Sequence, residues 1–333
     1  MNSNHHIIAR QTGFTLMEAV VVIVISGIIV AAVALFIRAP VTGYVDTAFR
    51  AELNDIADTA LRRIGRDLRT ALPNSIRVTN VGSVYYLEYL EVRTGGRYRA
   101  VTSGASTLPA CPNDDPRATD EDILSFYSSP STGTDTCFKT LGNIPNSAQI
   151  VNTDYVVVFN LGIPGASAYE SPNTNKSLVS STCTCACVPN CSPPSPPANS
   201  SSACSSCTVG SYYDEFIIAA QMFSFSSSAS RFDIITGPVS YVCDPVGGTL
   251  TRYSGYAIQA SQPNNNGAAP LSTAPVKALL ASHVSACTFT YNSAVVAQRD
   301  GLATMSLSVT EVDSQGKNET VTLYESAHVS NVP

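Results

Sequence analysis

The sequence predicts an α+β protein in which one long N-terminal helix packs on an antiparallel β-sheet head. Three observations indicate this fold: a lipid-length apolar run near the N-terminus, an amphipathic helical pattern after it, and many short strand patterns beyond Pro73. No second long helical pattern competes with the first. An amphipathic helix has to cover its apolar stripe, and one face of an antiparallel sheet is a suitable partner.

The apolar run covers residues 14–37 and reads FTLMEAVVVIVISGIIVAAVALFI. At 1.5 Å rise per residue it makes about 36 Å of helix, enough to span the hydrocarbon of a bilayer with some tilt. Its only polar members are Thr15, Glu18 and Ser26. The run is therefore predicted to lie in a membrane.

Glu18 is the most informative residue of the run, because a carboxylate inside a membrane span costs roughly 2.5 to 3.5 kcal/mol on insertion scales. A cut between Gly13 and Phe14 would create a free ammonium group four residues before it. Residues four apart share one face of a helix, so amine and carboxylate could pair within one chain. The amine of a neighbouring copy could equally serve, and that pairing would set the register of a helical assembly.

Gly13 followed by Phe14-Thr15-Leu16-Met17-Glu18 resembles the processing site of type IV prepilins and type II secretion pseudopilins. The resemblance implies that a prepilin peptidase in the membrane cuts after Gly13 and methylates the new N-terminal Phe14. It also implies that Glu18 neutralises the terminus of an adjacent subunit during filament assembly. Other major and minor pilins are then the expected partners.

Two other interpretations explain part of the run. A conventional secretory signal has a basic start, an apolar core of about 7 to 15 residues and a small-residue cleavage site. Ala32-Val33-Ala34 could supply that site, but Glu18 would lie at the entrance to the core. A plain single-pass anchor explains the length of the run but not its glutamate. The prepilin interpretation is favoured because it explains both.

The leader, residues 1–13, carries Arg10 as its only charged side chain and should stay cytoplasmic, although Arg38 on the far side weakens that signal. The head, residues 73–333, would then lie outside the cytoplasm. We expect a single-pass inner-membrane protein that later enters a pilus on the cell surface. Without the leader, 18 basic and 25 acidic side chains give a net charge of −7, which makes nucleic acid a poor partner.

The helical unit is predicted to cover residues 14–72, about 88 Å of helix if it is continuous. Pro40 should bend or locally interrupt it, and Pro73-Asn74 should end it. Its second half, residues 45–72, has apolar residues spaced by three or four. These are Leu53, Ile56, Ala57, Ala60, Leu61, Ile64, Leu68 and Leu72.

Four arginines crowd the end of this helix: Arg62, Arg63, Arg66 and Arg69. The favoured interpretation is a solvated face paired with acids such as Asp58 and Asp67, since positive charge also suits a helix C-terminus. Contact with acidic lipid, DNA or a neighbouring subunit is the functional alternative, and subunit contact fits best among these.

The head is predicted to consist of short strands. Residues 84–92 lead through Thr94-Gly95-Gly96 into 97–101, which is typical of a hairpin. Further predicted strands are 155–161, 232–235, 239–243, 250–259, 287–295, 304–310 and 319–328. Residues 165–212 are predicted to interrupt the head as an exposed insert, because Ser, Pro, Asn, Thr and Cys dominate them.

The ten cysteines fall into two groups. In ordinary globular sequence we expect Cys111 to pair with Cys137 and Cys243 with Cys287, each bond stabilising the head by about 2 to 4 kcal/mol. The insert holds Cys183, Cys185, Cys187, Cys191, Cys204 and Cys207, whose pairing the sequence leaves open. A thiolate metal site that includes Cys204 and Cys207 is a weaker alternative, because an oxidising compartment favours disulfides.

Other sites have little support, and we expect no metal and no cofactor. The acidic stretch Asn113, Asp114, Asp115, Asp120, Glu121 and Asp122 could offer oxygens to calcium, but its spacing matches no EF-hand loop and a solvated turn is favoured. Only His283 and His328 lie beyond the leader, and no common catalytic motif is present. A catalytic site assembled from distant residues stays open, but we expect no enzyme.

Other segments narrow the resemblance. LNDIADTALRRIGRDLRTALPNSIRV at 53–78, with GPVSYVCDP, TRYSGYAIQ, VSACTFTY and the C-terminal HVSNVP, is similar to minor pilins of the mannose-sensitive haemagglutinin pilus. The N-terminal half is also similar to J-type pseudopilins of type II secretion. The similarity leaves out the insert, and it implies a low-abundance subunit that helps to initiate or cap assembly at a filament tip. A tip adhesin that acts through the insert is the alternative from another functional class.

Overall fold

The computed structural model describes residue 13 and residues 15–100, 123–124, 126, 134–170, 175–186, 212–292, 300–313 and 316–333. The chain divides into two compact units. One comprises Met1–Glu52 with Val312–Glu319, and the other comprises Leu53–Glu311 with Thr320–Pro333. One long helix and twelve antiparallel strands are the main elements of the described residues, so the predicted α+β class is confirmed.

The helix, α1, comprises Leu16–Leu68. It continues through Pro40 without interruption, so the predicted local interruption is wrong, whereas the alternative of a bend at Pro40 stays a prediction. The predicted apolar stripe of its second half is buried, with Ile56 only half-buried. Leu53, Ala57, Ala60, Leu61, Ile64, Leu68 and Leu72 are each at most 2 % exposed. The spacing of apolar residues by three or four therefore predicted the buried face of the helix correctly.

The helix ends at Leu68, four residues before the predicted end at Leu72. The Thr70 hydroxyl donates to the carbonyl of Asp67 at 2.7 Å and closes the last turn. The Leu72 amide then donates to the carbonyl of Leu90 at 2.8 Å, in a strand of the head. The backbone groups that would continue the helix are thus used by the sheet, which sequence periodicity alone does not reveal.

The twelve strands form two sheets. Their bounds are β1 Arg77–Val81, β2 Val84–Arg97, β3 Asp135–Lys139, β4 Tyr155–Val157, β5 Lys176–Ala186, β6 Tyr212–Gln221, β7 Arg231–Asp244, β8 Thr249–Ser254, β9 Val276–Ser282, β10 Val284–Tyr291, β11 Asp300–Val312 and β12 Asn318–Ser330. The larger sheet has the order β1-β2-β7-β4-β5-β6-β3, with β8 paired to β7 and β9 to β8. The smaller sheet has the order β10-β11-β12.

The larger sheet forks at Gly237, in the middle of β7. On one side of the fork β4 pairs with residues 233–235, and on the other β8 pairs with residues 239–244, while β2 follows β7 on both sides. Gly237 has a φ of 133°, which is strained for any residue with a Cβ. The two strands predicted at 232–235 and 239–243 are therefore parts of one strand that continues through this glycine.

The predicted hairpin at Thr94-Gly95-Gly96 is wrong, because β2 runs straight through these residues. A Cβ on Gly95 would lie 2.8 Å from Asp233 Oδ1 and 3.0 Å from the carbonyl oxygen of Phe232. The glycines thus allow β7 to approach closely rather than forming a turn. The hairpin is instead formed by β1 and β2, with Val81 opposite Val84.

The described part of the predicted insert belongs to the fold, which corrects the prediction that 165–212 is an exposed excursion. Ala166 and Ala168 are fully buried, and β5 lies between β4 and β6. Val179 of β5 adds its side chain to the core. The Ser/Thr-rich composition misled the prediction because Thr suits a pleated strand whose core is supplied by its neighbours. Residues 187–211 lie outside the described residues.

Several predicted strand bounds also change. The strand predicted at 250–259 ends at Ser254, because Gly255 follows with a φ of 83°. The strand predicted at 155–161 ends at Val157, and Phe159 has a φ of 52°. Strands β11 and β12 contain the predicted strands 304–310 and 319–328.

The core of the larger sheet is built around aromatic rings. Phe138 stacks on Phe216 with ring centroids 5.3 Å apart, and Phe232 meets Phe138 edge-on at 5.2 Å. The smaller sheet is joined to the larger one by the disulfide between Cys243 of β7 and Cys287 of β10. That bond is the pairing expected from the sequence.

Candidate processing and assembly site

The predicted scissile bond lies just before α1. Gly13 is exposed and outside any regular element, and a Cβ built on it would meet no atom within 4 Å. Phe14, the predicted new terminus, lies outside the described residues. Gly13 and Thr15, the described residues on either side, both lie outside α1, which begins at Leu16.

Thr15 caps the N-terminus of α1. The amide of Glu18 donates to Thr15 Oγ1 at 3.3 Å, and the amide of Ala19 donates to the Thr15 carbonyl at 3.1 Å. Thr15-x-x-Glu18 is the spacing of a capping box, in which the side chain of the first residue satisfies an amide of the first turn. The role of Thr15 was not predicted from the sequence, although a threonine three residues before a glutamate is the signal for such a cap.

Glu18 lies in the first turn of α1 with an exposed side chain. A negative charge there is favoured by the helix dipole, by about 0.3 to 1 kcal/mol. Among the described residues, no ion pair or side-chain hydrogen bond engages its carboxylate. Its pairing with the amine of Phe14, or with the amine of another subunit, stays a prediction. The geometry leaves the carboxylate available for either partner.

The segment Leu16–Ile37 is long and apolar enough to cross a membrane, judged by length and composition. Its side chains are exposed all round the helix; Leu35 is 72 % exposed and Phe36 is 81 % exposed. Its 22 residues make about 33 Å of helix, against a hydrocarbon core of about 30 Å. Such an apolar surface requires lipid or neighbouring apolar helices.

A family model described as the prokaryotic N-terminal methylation motif matches residues 8–34. The chain carries this motif. The matched region contains Gly13, Phe14 and Glu18, and the motif supports a pilin or pseudopilin. It also implies processing by a prepilin peptidase and assembly with other pilins, and the apolar helix fits the single-pass anchor of prepilins. No curated protein and no solved structure matches the chain.

The end of α1 is held in the head by a cluster of ion pairs. Asp67 accepts hydrogen bonds from the Tyr241 hydroxyl of β7 at 2.5 Å and from Arg252 Nε of β8 at 3.2 Å. Arg252 also donates to Glu91 of β2 at 3.1 Å. Burial, together with the charge of Asp67, raises the pKa of Tyr241, so its hydroxyl remains a donor. This cluster, named here the Asp67 anchor, ties the helix to three strands.

The arginine cluster is divided by this arrangement. Arg62 pairs with Asp58 at 2.7 Å and Arg63 pairs with Asp67 at 3.4 Å, as the solvated-face interpretation predicts. Arg66 and Arg69 are exposed, and no described acid pairs with them. Both lie at the helix C-terminus, where positive charge is favourable. The cluster is thus partly paired and partly open to solvent.

A second buried cluster surrounds Glu88 of β2, which is fully buried. Glu88 accepts from Arg77 Nε at 2.6 Å and from the Tyr256 hydroxyl at 2.9 Å. Burial raises the pKa of Glu88, and the positive charge of Arg77 opposes the rise. Neither this cluster nor the Asp67 anchor is predictable from local sequence patterns, because their members are far apart along the chain. Both are structural contacts that hold β2 in place.

A cleft of about 460 Å³ opens beside Arg77 and Tyr169. Its polar groups bind one another: Asn331 Oδ1 accepts from the Tyr291 hydroxyl at 2.9 Å, and Asn74 donates to the Asn331 carbonyl at 3.1 Å. The cleft therefore presents few unpaired polar groups to a ligand, and we assign it no function.

The remaining predicted sites are mostly outside the described residues. Cys111 lies there, and only the backbone of Cys137 is described, in β3, so their pairing is untested. The backbones of Cys183 and Cys185 lie in β5, whereas Cys187, Cys191, Cys204 and Cys207 lie outside the described residues. The acidic stretch from Asn113 to Asp122 also lies outside. His283 lies 3.2 Å from Glu311, and His328 is exposed.

Proposed function

We propose that this chain is a minor pilin of a type IV pilus, similar to MshO, that helps to initiate or cap assembly at the filament tip. The methylation motif at 8–34 carries this proposal, because it supports a subunit that leaves the membrane for a filament. The exposed apolar surface of Leu16–Ile37 supports it as well, since neighbouring helices must replace lipid when the subunit moves.

The proposed path has two stages. The precursor is held in the inner membrane with its head outside the cytoplasm, and prepilin peptidase removes residues 1–13. The processed chain then packs its helix among those of other pilins. The carboxylate of Glu18, which no described residue pairs with, supports this step, because a charge in an apolar bundle requires a partner. The role is structural, and it needs no catalysis and no cofactor.

The test is to isolate the protein from its host as full-length chain and as sheared surface filaments. We expect mass spectrometry to find a methylated N-terminus at Phe14 and to detect the protein in the filament fraction. An N-terminus at any other residue would overturn the proposal. Glu18→Gln should be processed normally but should be depleted from filaments, and normal incorporation of this variant would remove the role of the carboxylate.

A pseudopilin of type II secretion is the second candidate, favoured by the same motif. Deletion of the gene distinguishes the two: loss of surface pili indicates the pilus, whereas loss of secreted enzymes with normal pili indicates secretion. Tip adhesion through the Cys-rich segment is tested by deleting residues 187–211, which leaves β5 intact. Normal piliation with weak attachment would support an adhesive role.

A further inference from the structure

The first half of β9 is an unprotected edge of the larger sheet. In the described part of the chain β9 pairs only with β8, through residues Val276–Ser282. Its residues 276–279 are exposed on both faces, with Val276 50 % exposed and Leu279 61 % exposed. One ladder therefore holds this apolar strand, and its other row of backbone donors and acceptors faces outward.

The other described edge strands differ from β9 in what they expose. Strands β1 and β12 carry charged side chains such as Arg77 and Glu325, and β10 has no charge but exposes small or hydroxyl side chains such as Ser285 and Thr288. In β9 the single charge is Lys277, and its ammonium donates to the Ser272 carbonyl at 2.5 Å and lies 6.0 Å from the ring of Tyr253. The side chain of Lys277, whose charge could discourage strand addition, is thus engaged by residues of its own head.

The edge is also held in one conformation. Residue His283, with a φ of 58°, turns the chain from β9 directly into β10, and the Val284 amide donates to the Gly248 carbonyl at 3.1 Å. The disulfide at Cys287 fixes the strand that follows. An incoming strand would therefore pair with an edge that is already ordered, so little conformational entropy of β9 would be lost on binding.

We propose that β9 receives an extended edge strand from the head of a different pilin-type subunit. The outward backbone groups can form hydrogen bonds with an added strand, and the exposed side chains of Val276, Ala278 and Leu279 favour apolar side chains on that strand. A second copy is a poorer occupant, because a directional filament joins subunits through unlike surfaces and self-pairing closes the interface. The inference rests on the proposed function, since a filament holds heads side by side at high effective concentration.

The experiment places a photoreactive benzoylphenylalanine at residue 279 of the full-length chain in its host. The matched control places it at residue 324, because Tyr324 is an aromatic residue of β12 that is 79 % exposed. We expect a cross-link from residue 279 to another pilin-type subunit, identified by mass spectrometry, and a weaker one from residue 324. No excess at residue 279, or a product confined to the same chain or to a second copy, overturns the inference.

Substitutions give a second measurement. Leu279→Lys should lower the amount of processed protein in sheared filaments about five-fold, because it places a charge on the proposed contact, whereas Tyr324→Lys should change it less than about two-fold. Equal recovery of the two variants overturns the inference. If the wild-type chain starts at Phe14 and enters filaments, such a result leaves the proposed function standing. Absence of the wild-type chain from filaments is instead a failure of the proposed function.

Discussion

Two segments of α1 share one backbone geometry and have opposite surfaces. Leu16–Ile37 exposes apolar side chains all round. Residues 53–68 bury a single stripe that includes Leu61 and Ile64, and they expose charged residues such as Arg62. The second segment finds its cover in the head of its own chain. The first must find it elsewhere, in lipid or in neighbouring subunits.

The largest expected effect comes from placing one carboxylate in each segment. Leu61→Asp buries an unpaired charge at a position that is 2 % exposed, and it should lower the free energy of unfolding of the head by about 5 kcal/mol. Ile25→Asp should leave the head unchanged and should weaken membrane insertion by roughly 2.5 to 3.5 kcal/mol. Thermal unfolding in detergent and membrane fractionation measure the two effects.

A matched control is Asp at an exposed position of the docked segment. Asn54→Asp should alter neither unfolding nor membrane retention beyond about 0.5 kcal/mol. If Leu61→Asp instead leaves the head intact, or if Ile25→Asp unfolds it, the two segments do not differ in the way their exposure indicates.

The disulfide offers a second test of the difference between the two segments of α1, because residues 53–68 contact strands of both sheets. Asp67 contacts β7 and β8, and a Cβ on Gly65 would lie 3.4 Å from Glu325 of β12. Replacing Cys243 and Cys287 together by Ser should destabilise the head by about 4 kcal/mol, given a sequence separation of 44 residues. Denaturant unfolding with and without reductant measures this.

The same double variant should keep its membrane association, since Leu16–Ile37 does not depend on the head for its apolar surface. Reductant should destabilise the wild type more than the variant. Equal stability of wild type and variant under oxidising conditions would mean that the bond does not hold the two sheets together.

Periodicity predicted the docked segment well and the sheet less well. The spacing of Leu53, Ala57 and Leu61 predicted a buried stripe because helix geometry is local. The pair Gly95-Gly96 is typical of a turn, but the sequence does not show that β7 approaches β2 closely at this point. Strand β5 was missed for a related reason, since its cover comes from strands distant in sequence.

The candidate site shows the same division. Glu18 stood out because an acid in an apolar run is a local anomaly, and the motif at 8–34 is contiguous. The Asp67 anchor joins Asp67 to Arg252, 185 residues apart, and no local pattern relates them. Local chemistry therefore located the methylation motif, while the contacts that hold the helix in the head required the fold.

The pH dependence of the head's stability should show a smaller effect, which arises from one carboxylate in the larger sheet. Burial raises the pKa of Asp233 in β7 from 3.8 to about 6, and the charge of Arg231 opposes the rise. The folded state then binds the proton more tightly, so this stabilisation is present below about pH 4 and is lost as the pH rises to about 6. Asp233→Asn removes the unfavourable buried charge and should raise the free energy of unfolding at pH 7. The expected gain is about 2 kcal/mol, less than the pKa shift alone implies, because solvent partly screens this half-buried side chain.

Unfolding curves between pH 3 and pH 8 measure this change, and the variant should show a smaller fall in stability between about pH 4 and pH 6 than the wild type. Asp300→Asn removes an exposed carboxylate and serves as the control, with an expected change below about 0.5 kcal/mol. If Asp233→Asn is no more stable than wild type at pH 7, burial does not disfavour this charge.

The smallest expected effect tests the exposed segment alone. Thr15→Ala removes the hydroxyl oxygen that accepts a hydrogen bond from the Glu18 amide, and it should destabilise the first turn of α1 by about 1 kcal/mol. Hydrogen exchange at Glu18 should then speed up about five-fold, while exchange at Leu61 stays unchanged. Thr47→Ala removes a side-chain bond to the Gly43 carbonyl inside the helix and is the matched control. Equal exchange at Glu18 in wild type and Thr15→Ala would mean that the cap does not order the turn that presents the carboxylate.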